Sequence, residues 1–155
     1  MDLLVKLYEL PDGSASLKAL RKKGIQIRRA LAPEKAIVVD WVRSTFSSAW
    51  ASECDVSFSR SPISCFIAAE KNKVLGFACY DAACKNFFGP TGVDPEQRRG
   101  GIGTALLLAS LSAMAADGYG YAIIGGIGPL AYYKKVVNAI EIPASTPGIY
   151  RGMLK

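Results

Sequence analysis

Glycines and arginines are concentrated near the middle of the chain, in the string Arg98-Arg99-Gly100-Gly101-Ile102-Gly103. A short apolar segment precedes it, and a long apolar segment without proline follows it to about Ala116. This order predicts a strand, a glycine-rich turn and a helix. The first turn of a helix offers backbone N–H groups without internal partners, and the helix dipole adds partial positive charge there. Because glycines let a phosphate approach these amides and the arginines add full charges, we predict an anion site for a phosphate or pyrophosphate.

Two familiar phosphate-binding motifs do not fit the string. A dinucleotide-binding fingerprint needs G-x-G-x-x-G, but Gly101-Ile102-Gly103 is followed by Thr104-Ala105-Leu106, so the third glycine is missing. A Walker A loop needs a lysine directly after its last glycine, and none follows here. The anion is therefore expected to belong to another class of ligand.

With Val93-Asp94-Pro95 before it, the string resembles the signature of the GNAT superfamily of N-acetyltransferases, R/Q-x-x-G-x-G/A after a strand that ends near V-x-P. The resemblance implies acetyl-CoA as the donor, with its pyrophosphate on the backbone amides of this turn and its pantetheine along Val93. The cofactor-binding residues that it implies are Val93, Arg98, Arg99, Gly100, Gly101, Ile102, Gly103 and Thr104.

A second stretch, residues 130–137, is similar to the family pattern A-x-x-F-Y-x-K-x-G-F. Tyr132 takes the Phe place, Tyr133 the Tyr place and Lys135 the Lys place, whereas Val137 stands where glycine is usual. In the family this tyrosine often lies near the cofactor sulfur and can protonate the leaving thiolate. The resemblance therefore implies Tyr133 as the general acid, and the alternative is a tyrosine that packs under the sheet.

The chain contains no histidine, so a Ser-His-Asp triad and a Cys-His pair are excluded. An amine near neutral pH is mostly ammonium and must lose a proton before it attacks a thioester, and a carboxylate in a partly apolar pocket suits this task. Glu53, Asp55 and Asp81 are the candidate bases, in that order. The alternative is that residues 51–58 form a loop that only caps the preceding helix.

The cysteines, at positions 54, 65, 79 and 84, form no C-x-x-C pair. Without histidine a metal site is not expected, and we interpret these residues as reduced thiols, of which Cys54 and Cys79 could line the pocket. The first residues have neither a basic region nor a cleavage site, and no apolar run reaches the length of a membrane span. We therefore expect a cytoplasmic protein without membrane partners.

The net charge is +6 at pH 7, and its excess lies between Gly13 and Pro33. This basic segment is either a solvated face or a patch that attracts an anionic partner. Because no aromatic residues are interleaved, we do not predict nucleic-acid binding. The basic residues of the segment, which includes no acid, are Lys18, Arg21, Lys22, Lys23, Arg28 and Arg29.

We predict a single domain over residues 1–155, in which residues 1–24 are an N-terminal extension with a short helix. The resemblance implies an α/β (α+β) fold with a mixed, mostly antiparallel sheet of about six to seven strands flanked by helices. Gly89, Pro90 and Gly92 indicate a bulge or a break in pairing in a strand over 87–93. The resemblance implies that this strand splays from its neighbour and that the pair forms the acyl-CoA cleft. Other strands are predicted at 25–31, 64–70, 74–80, 119–124, 140–142 and 149–153, and other helices from Pro33 to Trp50, over 101–117 and over 130–137.

The resemblance implies an acetyl-CoA-dependent N-acetyltransferase that uses a ternary complex. Its acceptor would be an amine on a small molecule or a peptide, and a homodimer is consistent with the family. One alternative is a sensor that binds acyl-CoA without turnover. Another is an anion-binding structural protein that recruits nucleic acid through residues 13–33.

Overall fold

A computed structural model describes residues 1–126 and 128–155 of the chain. Its strands are β1 (Leu3–Lys6), β2 (Ile25–Arg29), β3 (Cys65–Glu70), β4 (Lys73–Tyr80), β5 (Phe87–Val93), β6 (Tyr121–Ile124) and β7 (Ile140–Glu141). Its α-helices are α1 (Ser14–Lys22), α2 (Lys35–Thr45), α3 (Ser48–Ser57), α4 (Ile102–Ala116) and α5 (Leu130–Val137). Short 3-10 helices cover Leu7–Glu9, Ala32–Glu34, Pro95–Gln97 and Gly148–Tyr150.

The strands form one seven-stranded sheet in the order β2-β3-β4-β5-β6-β1-β7. Neighbouring strands are antiparallel except β5 and β6, which are parallel. Helices lie against both faces of the sheet. The predicted fold, a mostly antiparallel mixed sheet flanked by helices, is confirmed.

The strand β4 shows how one segment serves two cores. Ala78 and Tyr80 belong to the core under α4, whereas Phe77 and Cys79 belong to the core under α2 and α3. Successive side chains of a strand point to opposite faces, so a strand that is covered on both faces reads as a continuous apolar run. This explains why residues 74–80 are almost entirely apolar.

The helix α4 is the centre of the larger core. It packs against β3, β4 and β5 on one side and against α1 and the Leu7–Glu9 turn elsewhere. Leu106, Leu107, Leu111 and Met114 are each at most 1% exposed. The contact between α4 and β5 places the glycine-rich string, which leads into the first turn of α4, at the end of that strand.

The predicted single helix from Pro33 to Trp50 is in fact two helices. Phe46 leaves the helical region at φ −124° and ψ −81°, and the side chain of Ser47 caps α3 by accepting from the Trp50 N–H at 3.1 Å. One alternative for residues 51–58 was a loop that caps the preceding helix. This alternative is wrong, because α3 continues to Ser57.

Two further differences concern the ends of the chain. Residues 3–6, within the expected N-terminal extension, form β1, which lies between β6 and β7 in the sheet. The expected strand at 149–153 is wrong, since a 3-10 helix occupies Gly148–Tyr150. The first difference arises from a contact between distant segments, because β1 pairs with β6 in the register Leu3 to Ile124.

No helix in the described part of the chain combines the length and apolar character that a membrane crossing requires.

Candidate functional site

The strands β5 and β6 separate soon after they pair. They are in register only at Phe87 with Ile123 and Phe88 with Ile124. Since β6 ends at Ile124 while β5 continues to Val93, no described strand pairs with this edge of β5 beyond Phe88. The sheet therefore has an open gap beside residues 89–93.

Val93 directs its backbone N–H toward this gap. The N–H of Asp94, the next residue, donates to the Leu75 carbonyl on β4 at 2.8 Å. Because N–H groups of successive strand residues point to opposite edges, the N–H of Val93 points away from β4. It is thus available to a ligand that enters the gap.

The N-terminus of α4 lies at the end of β5. Gly101 caps the helix in the left-handed region at φ +88°, and Arg99 is also left-handed at φ +69°. A Cβ at Gly101 would meet no described atom within 4 Å, and a Cβ at Gly103 would first meet Val93 Cγ2 at 3.6 Å. Packing therefore does not require glycine at position 103, and both positions leave open space in front of the helix amides.

The first cavity, of about 590 Å³, lies between this turn, the gap and α5. It contacts seven of the eight predicted cofactor residues, Val93, Arg98, Arg99, Gly101, Ile102, Gly103 and Thr104, whereas Gly100 is exposed and does not line it. Its other lining residues are Phe46, Trp50, Phe88, Thr91, Gly92, Gln97, Leu107, Pro129, Tyr132 and Tyr133.

A second cavity of about 710 Å³ lies on the other side of the gap, toward α3 and the C-terminal 3-10 helix. The residues that line both cavities are Trp50, Phe88, Thr91, Pro129 and Tyr133. The two spaces therefore meet at the gap. The glycine-rich break after β6 contributes Gly125, Gly126 and Gly128 to the second cavity, and Ile127 in that break lies outside the described residues.

Tyr133 lies at the junction of the cavities. It is 6% exposed, and burial raises the pKa of its hydroxyl to about 12. Among the described residues, none forms a hydrogen bond with this hydroxyl. The adjacent Tyr132 turns to the first cavity, where its hydroxyl lies 2.9 Å from the Thr104 hydroxyl.

Glu53 projects from α3 into the second cavity. Burial raises the pKa of its carboxyl group above the ordinary value, and a hydrogen bond from Tyr150 partly offsets this effect. The Tyr150 hydroxyl donates to Glu53 Oε1 at 3.3 Å. A carboxylate whose pKa is raised by desolvation is suited to accept a proton near neutral pH.

The other candidate bases lie elsewhere. Asp55 lines neither cavity and forms a surface ion pair with Lys35 at 3.1 Å. Asp81 also lines neither cavity, and its carboxylate accepts from the Asn86 N–H and the Tyr119 hydroxyl. Asp81 thus organises the turn between β4 and β5.

The cysteines are not part of either cavity. Cys54, Cys65 and Cys79 are each 0% exposed, and their Sγ atoms lie within 4.8 Å of one another. The expectation that Cys54 or Cys79 lines the pocket is wrong, because both side chains point into the core between α3 and the sheet. Burial raises the pKa of the Cys79 thiol well above its ordinary value.

The basic segment of residues 13–33 lies on α1 and β2, at the opposite end of the sheet from β7. Arg28 pairs with Glu34 at 2.7 Å, and Arg29 donates to the Ile63 carbonyl and the Tyr80 hydroxyl. No residue of this segment lines either cavity, so its charge does not contribute to the described walls of the site.

Sequence reasoning missed several wall residues. Phe46 covers Gly92 so closely that a Cβ at Gly92 would overlap its ring, and Trp50 packs on Phe46 with ring centroids 5.2 Å apart. Both belonged to an apolar stripe that predicted only core. Tyr150 belonged to an expected strand. Nothing in the local sequence pattern links Tyr150 to Glu53.

A family model described as "Acetyltransferase (GNAT) family" matches residues 35–127, more than half of the chain. This match includes β5, the whole of α4 and β6 but ends before α5. A search of curated proteins gives no match.

Among solved structures, the chain is similar to a GCN5-related glucosamine N-acetyltransferase region in a fungal multi-domain GH3 β-N-acetylglucosaminidase (TM-score 0.71, 15% identity, 88% of this chain and 19% of that one). It is also similar to a GCN5-related N-acetyltransferase from Sphaerobacter thermophilus (TM-score 0.61, 16% identity, 90% and 47%). A third neighbour is a GNAT family acetyltransferase from Brucella melitensis in complex with acetyl-CoA (TM-score 0.52, 22% identity, 72% and 80%). The chain thus spans less than half of the first two proteins, and these likenesses show the fold.

Proposed function

The chain belongs to the GNAT family of acetyltransferases, and from this premise we propose that it transfers an acetyl group from acetyl-CoA directly to an amine. The observation that carries the proposal is the meeting of two cavities at Tyr133 beside the gap in the sheet. The first cavity includes the start of α4 with Arg98 and Arg99, which suits an anion, and the second includes the carboxylate of Glu53. Two substrates can therefore be held at one junction, which favours a ternary complex without a covalent acyl-enzyme.

The first cavity is proposed to hold acetyl-CoA, which supplies an acetyl group activated as a thioester. The backbone amides from Arg98 to Thr104 would hold the pyrophosphate, and Arg98 and Arg99 would add charge. The open space at Gly101 supports this fit, since a side chain there would project into the cavity. The backbone of Val93 would hold the pantetheine arm along the gap.

Glu53 is the proposed general base. It is the carboxylate that lines the second cavity, and its desolvation raises its pKa toward the range in which a base works at neutral pH. It would take a proton from the acceptor ammonium directly or through water. Asp55 and Asp81 are not part of this proposal, because neither residue lines the first or the second cavity.

Tyr133 is the proposed general acid. Because burial raises its pKa to about 12, its hydroxyl stays protonated at neutral pH and can donate to a leaving thiolate. The N–H of Val93 would donate to the oxygen that gains negative charge during transfer. Loss of one such donor typically costs on the order of 3 kcal/mol of transition-state stabilisation.

The first test is calorimetric titration of the protein with acetyl-CoA, CoA and NAD, followed by a transfer assay on a panel of amines. We expect binding of both CoA species, no binding of NAD and acetylation of at least one amine. Binding without transfer to any amine would favour a sensor that recognises acyl-CoA without turnover. Failure to bind either CoA species would overturn the proposed function.

A further inference from the structure

The two cavities differ in the charge of the side chains that line them. The arginines that line cavities, Arg98 and Arg99, are both in the first one. The described residues that line the second cavity include no lysine or arginine, and the carboxylate among them belongs to Glu53. An anionic group of a ligand in the second cavity would therefore lose water without gaining a positive partner, which is costly.

A negative environment extends beyond Glu53 toward the C-terminal turn. The Tyr150 hydroxyl donates to Glu53, and the negative charges of Glu53 and Asp2 contribute, after burial, to the pKa of about 12 for Tyr150. Asp2 lies close by, because a Cβ at Gly148 would be 3.1 Å from its Oδ2. This end of the cavity therefore attracts a cation and repels an anion.

The remaining walls are mostly apolar. The flat and bulky groups among them are Trp50, Phe87, Phe88, Pro90, Pro129 and Met153. The polar side chains that accompany Glu53 and the tyrosines are the hydroxyls of Ser52 and Thr91. A volume of about 710 Å³ accommodates a small molecule with a ring, and the ring of Trp50 can also stabilise a nearby ammonium.

We infer that the acceptor is a primary amine on an apolar, ring-bearing skeleton that carries no carboxylate or phosphate, with its ammonium at Glu53 and its ring between Trp50 and Phe87. This inference rests on the proposed function, because it names the substrate class of the same site. It excludes amino acids as good acceptors, since their carboxylate has no partner in this cavity. It also disfavours a polyhydroxylated amine such as glucosamine, since few side chains are present to satisfy its hydroxyls.

The test compares three acceptors at saturating acetyl-CoA: 2-phenylethylamine, L-phenylalanine and glucosamine. The first two differ only in the carboxylate. We expect kcat/KM for 2-phenylethylamine to exceed that for L-phenylalanine by at least about 100-fold, because an unpaired buried charge is strongly rejected. A ratio near unity, or preferred use of glucosamine, would overturn the inference and leave the proposed acetyltransferase function intact.

A charge-introduction pair sharpens the test. Ser52 lines the second cavity, whereas Val56 is an exposed residue of the same helix that lines neither cavity. Ser52→Arg should reduce the preference for 2-phenylethylamine over L-phenylalanine by at least about tenfold, since it supplies the missing cation. Val56→Arg should leave the preference unchanged. An unchanged preference in a folded Ser52→Arg variant would contradict the inference.

Equilibrium binding of 2-phenylethylamine to the protein–CoA complex separates the two proposals. One outcome is saturable binding that is weakened by Glu53→Gln, with no transfer of acetyl to any amine. This outcome would support the second cavity as the amine site and would overturn the proposed catalytic function. If 2-phenylethylamine neither binds nor becomes acetylated, the inference is overturned, whether or not acetyl-CoA binds at its proposed site.

Discussion

The hydroxyls of Thr104 and Tyr132 lie 2.9 Å apart and join the first turn of α4 to α5. This contact fixes the helix that also carries Tyr133, whose ring packs edge-on against Tyr132 with centroids 5.1 Å apart. The helix that begins at the proposed phosphate site and the helix that carries the proposed acid are therefore connected directly. The adjacent tyrosines have different contacts, so mutation can distinguish their proposed roles.

Tyr133→Phe should lower kcat by about 10- to 100-fold, because it removes the proposed proton donor, with little change in the Kd for acetyl-CoA. It should not lower the free energy of unfolding, since no described residue bonds the Tyr133 hydroxyl. Tyr132→Phe is the matched control and should cost about 1 kcal/mol of stability through its lost hydrogen bond but less than tenfold in kcat. Single-turnover kinetics and urea denaturation measure both effects. Equal kcat values for Tyr133→Phe and the parent protein would remove Tyr133 from catalysis.

Gly101→Glu should reduce CoA affinity by more than about 100-fold, because it introduces a carboxylate where phosphate oxygens would lie. Gly101→Ala isolates the backbone strain of the left-handed conformation, about 1–2 kcal/mol, and should bind CoA within about tenfold of the parent. Gly24→Glu has the same kind of strain, at φ +82° in open space, but Gly24 lines neither cavity. It should lose stability and retain CoA binding. If calorimetry shows that Gly101→Glu binds CoA as tightly as the parent protein does, the proposed phosphate site at the start of α4 is contradicted.

Glu53→Gln should abolish most acetyl transfer and yet stabilise the fold above neutral pH. Burial raises the folded-state pKa of Glu53, so its contribution to stability is full below the unfolded pKa and is lost as pH rises through the folded pKa. The advantage of Glu53→Gln should therefore be larger at about pH 8 than at about pH 5, and each added kcal/mol raises Tm by about 2–4 °C in a chain of this size. Asp55→Asn, on the same helix but outside both cavities, should not reproduce the transfer defect. A stability difference that falls with increasing pH would refute the assigned desolvation.

Glu34→Gln should cost about 2 kcal/mol at neutral pH, since it weakens a two-point hydrogen bond with a charged partner. Both Arg28 nitrogens lie 2.7 Å from the carboxylate oxygens of Glu34. The Arg28 bond lowers the pKa of Glu34 from 4.5 to about 2, so the stabilisation is present above the unfolded pKa and is lost as pH falls toward the folded value. Chemical denaturation between about pH 2 and pH 7 measures this window. Asp40→Asn is the control, because its pair with Arg43 is exposed and should be worth less than about 1 kcal/mol.

Gly92→Ala should destabilise the protein by about 1–3 kcal/mol, because the new methyl group overlaps the Phe46 ring. The variant should also raise KM for acetyl-CoA, since Phe46 lines the first cavity. Phe46→Leu removes the obstructing ring edge, and the double variant should recover part of both losses. A double-mutant cycle on the free energy of unfolding gives the coupling. Strictly additive losses would show that the predicted overlap is absent in solution.

The local geometry of the proposed cofactor side was largely predictable because its information is local. The string from Arg98 to Gly103 is contiguous, and a glycine-rich turn before an apolar segment specifies its own geometry through the helix amides. The same holds for α5, whose predicted bounds of 130–137 agree with the structure. What these residues do in catalysis stays a prediction.

The acceptor side was less predictable because its geometry is set by the break between α2 and α3. The apolar spacing from Val38 to Trp50 fits one helix as well as two, so periodicity alone does not reveal the break at Phe46. The same error hid the difference between Glu53 and Asp55. On a helix, residues two positions apart are rotated by about 200° from one another, so one faces the cavity while the other pairs with Lys35.

Because of the position of β1 in the sheet, the order in which the strands are synthesised differs from the order in which they can pair. Among the strands of this sheet, β1 is synthesised first, whereas its partners, β6 and β7, are synthesised last. The half of the sheet from β2 to β5 pairs neighbours in sequence and can form while the chain is still growing. Contacts of large sequence separation slow folding, so we expect closure of β1 between β6 and β7 to be a late step, with the apolar strand Leu3–Lys6 exposed until then.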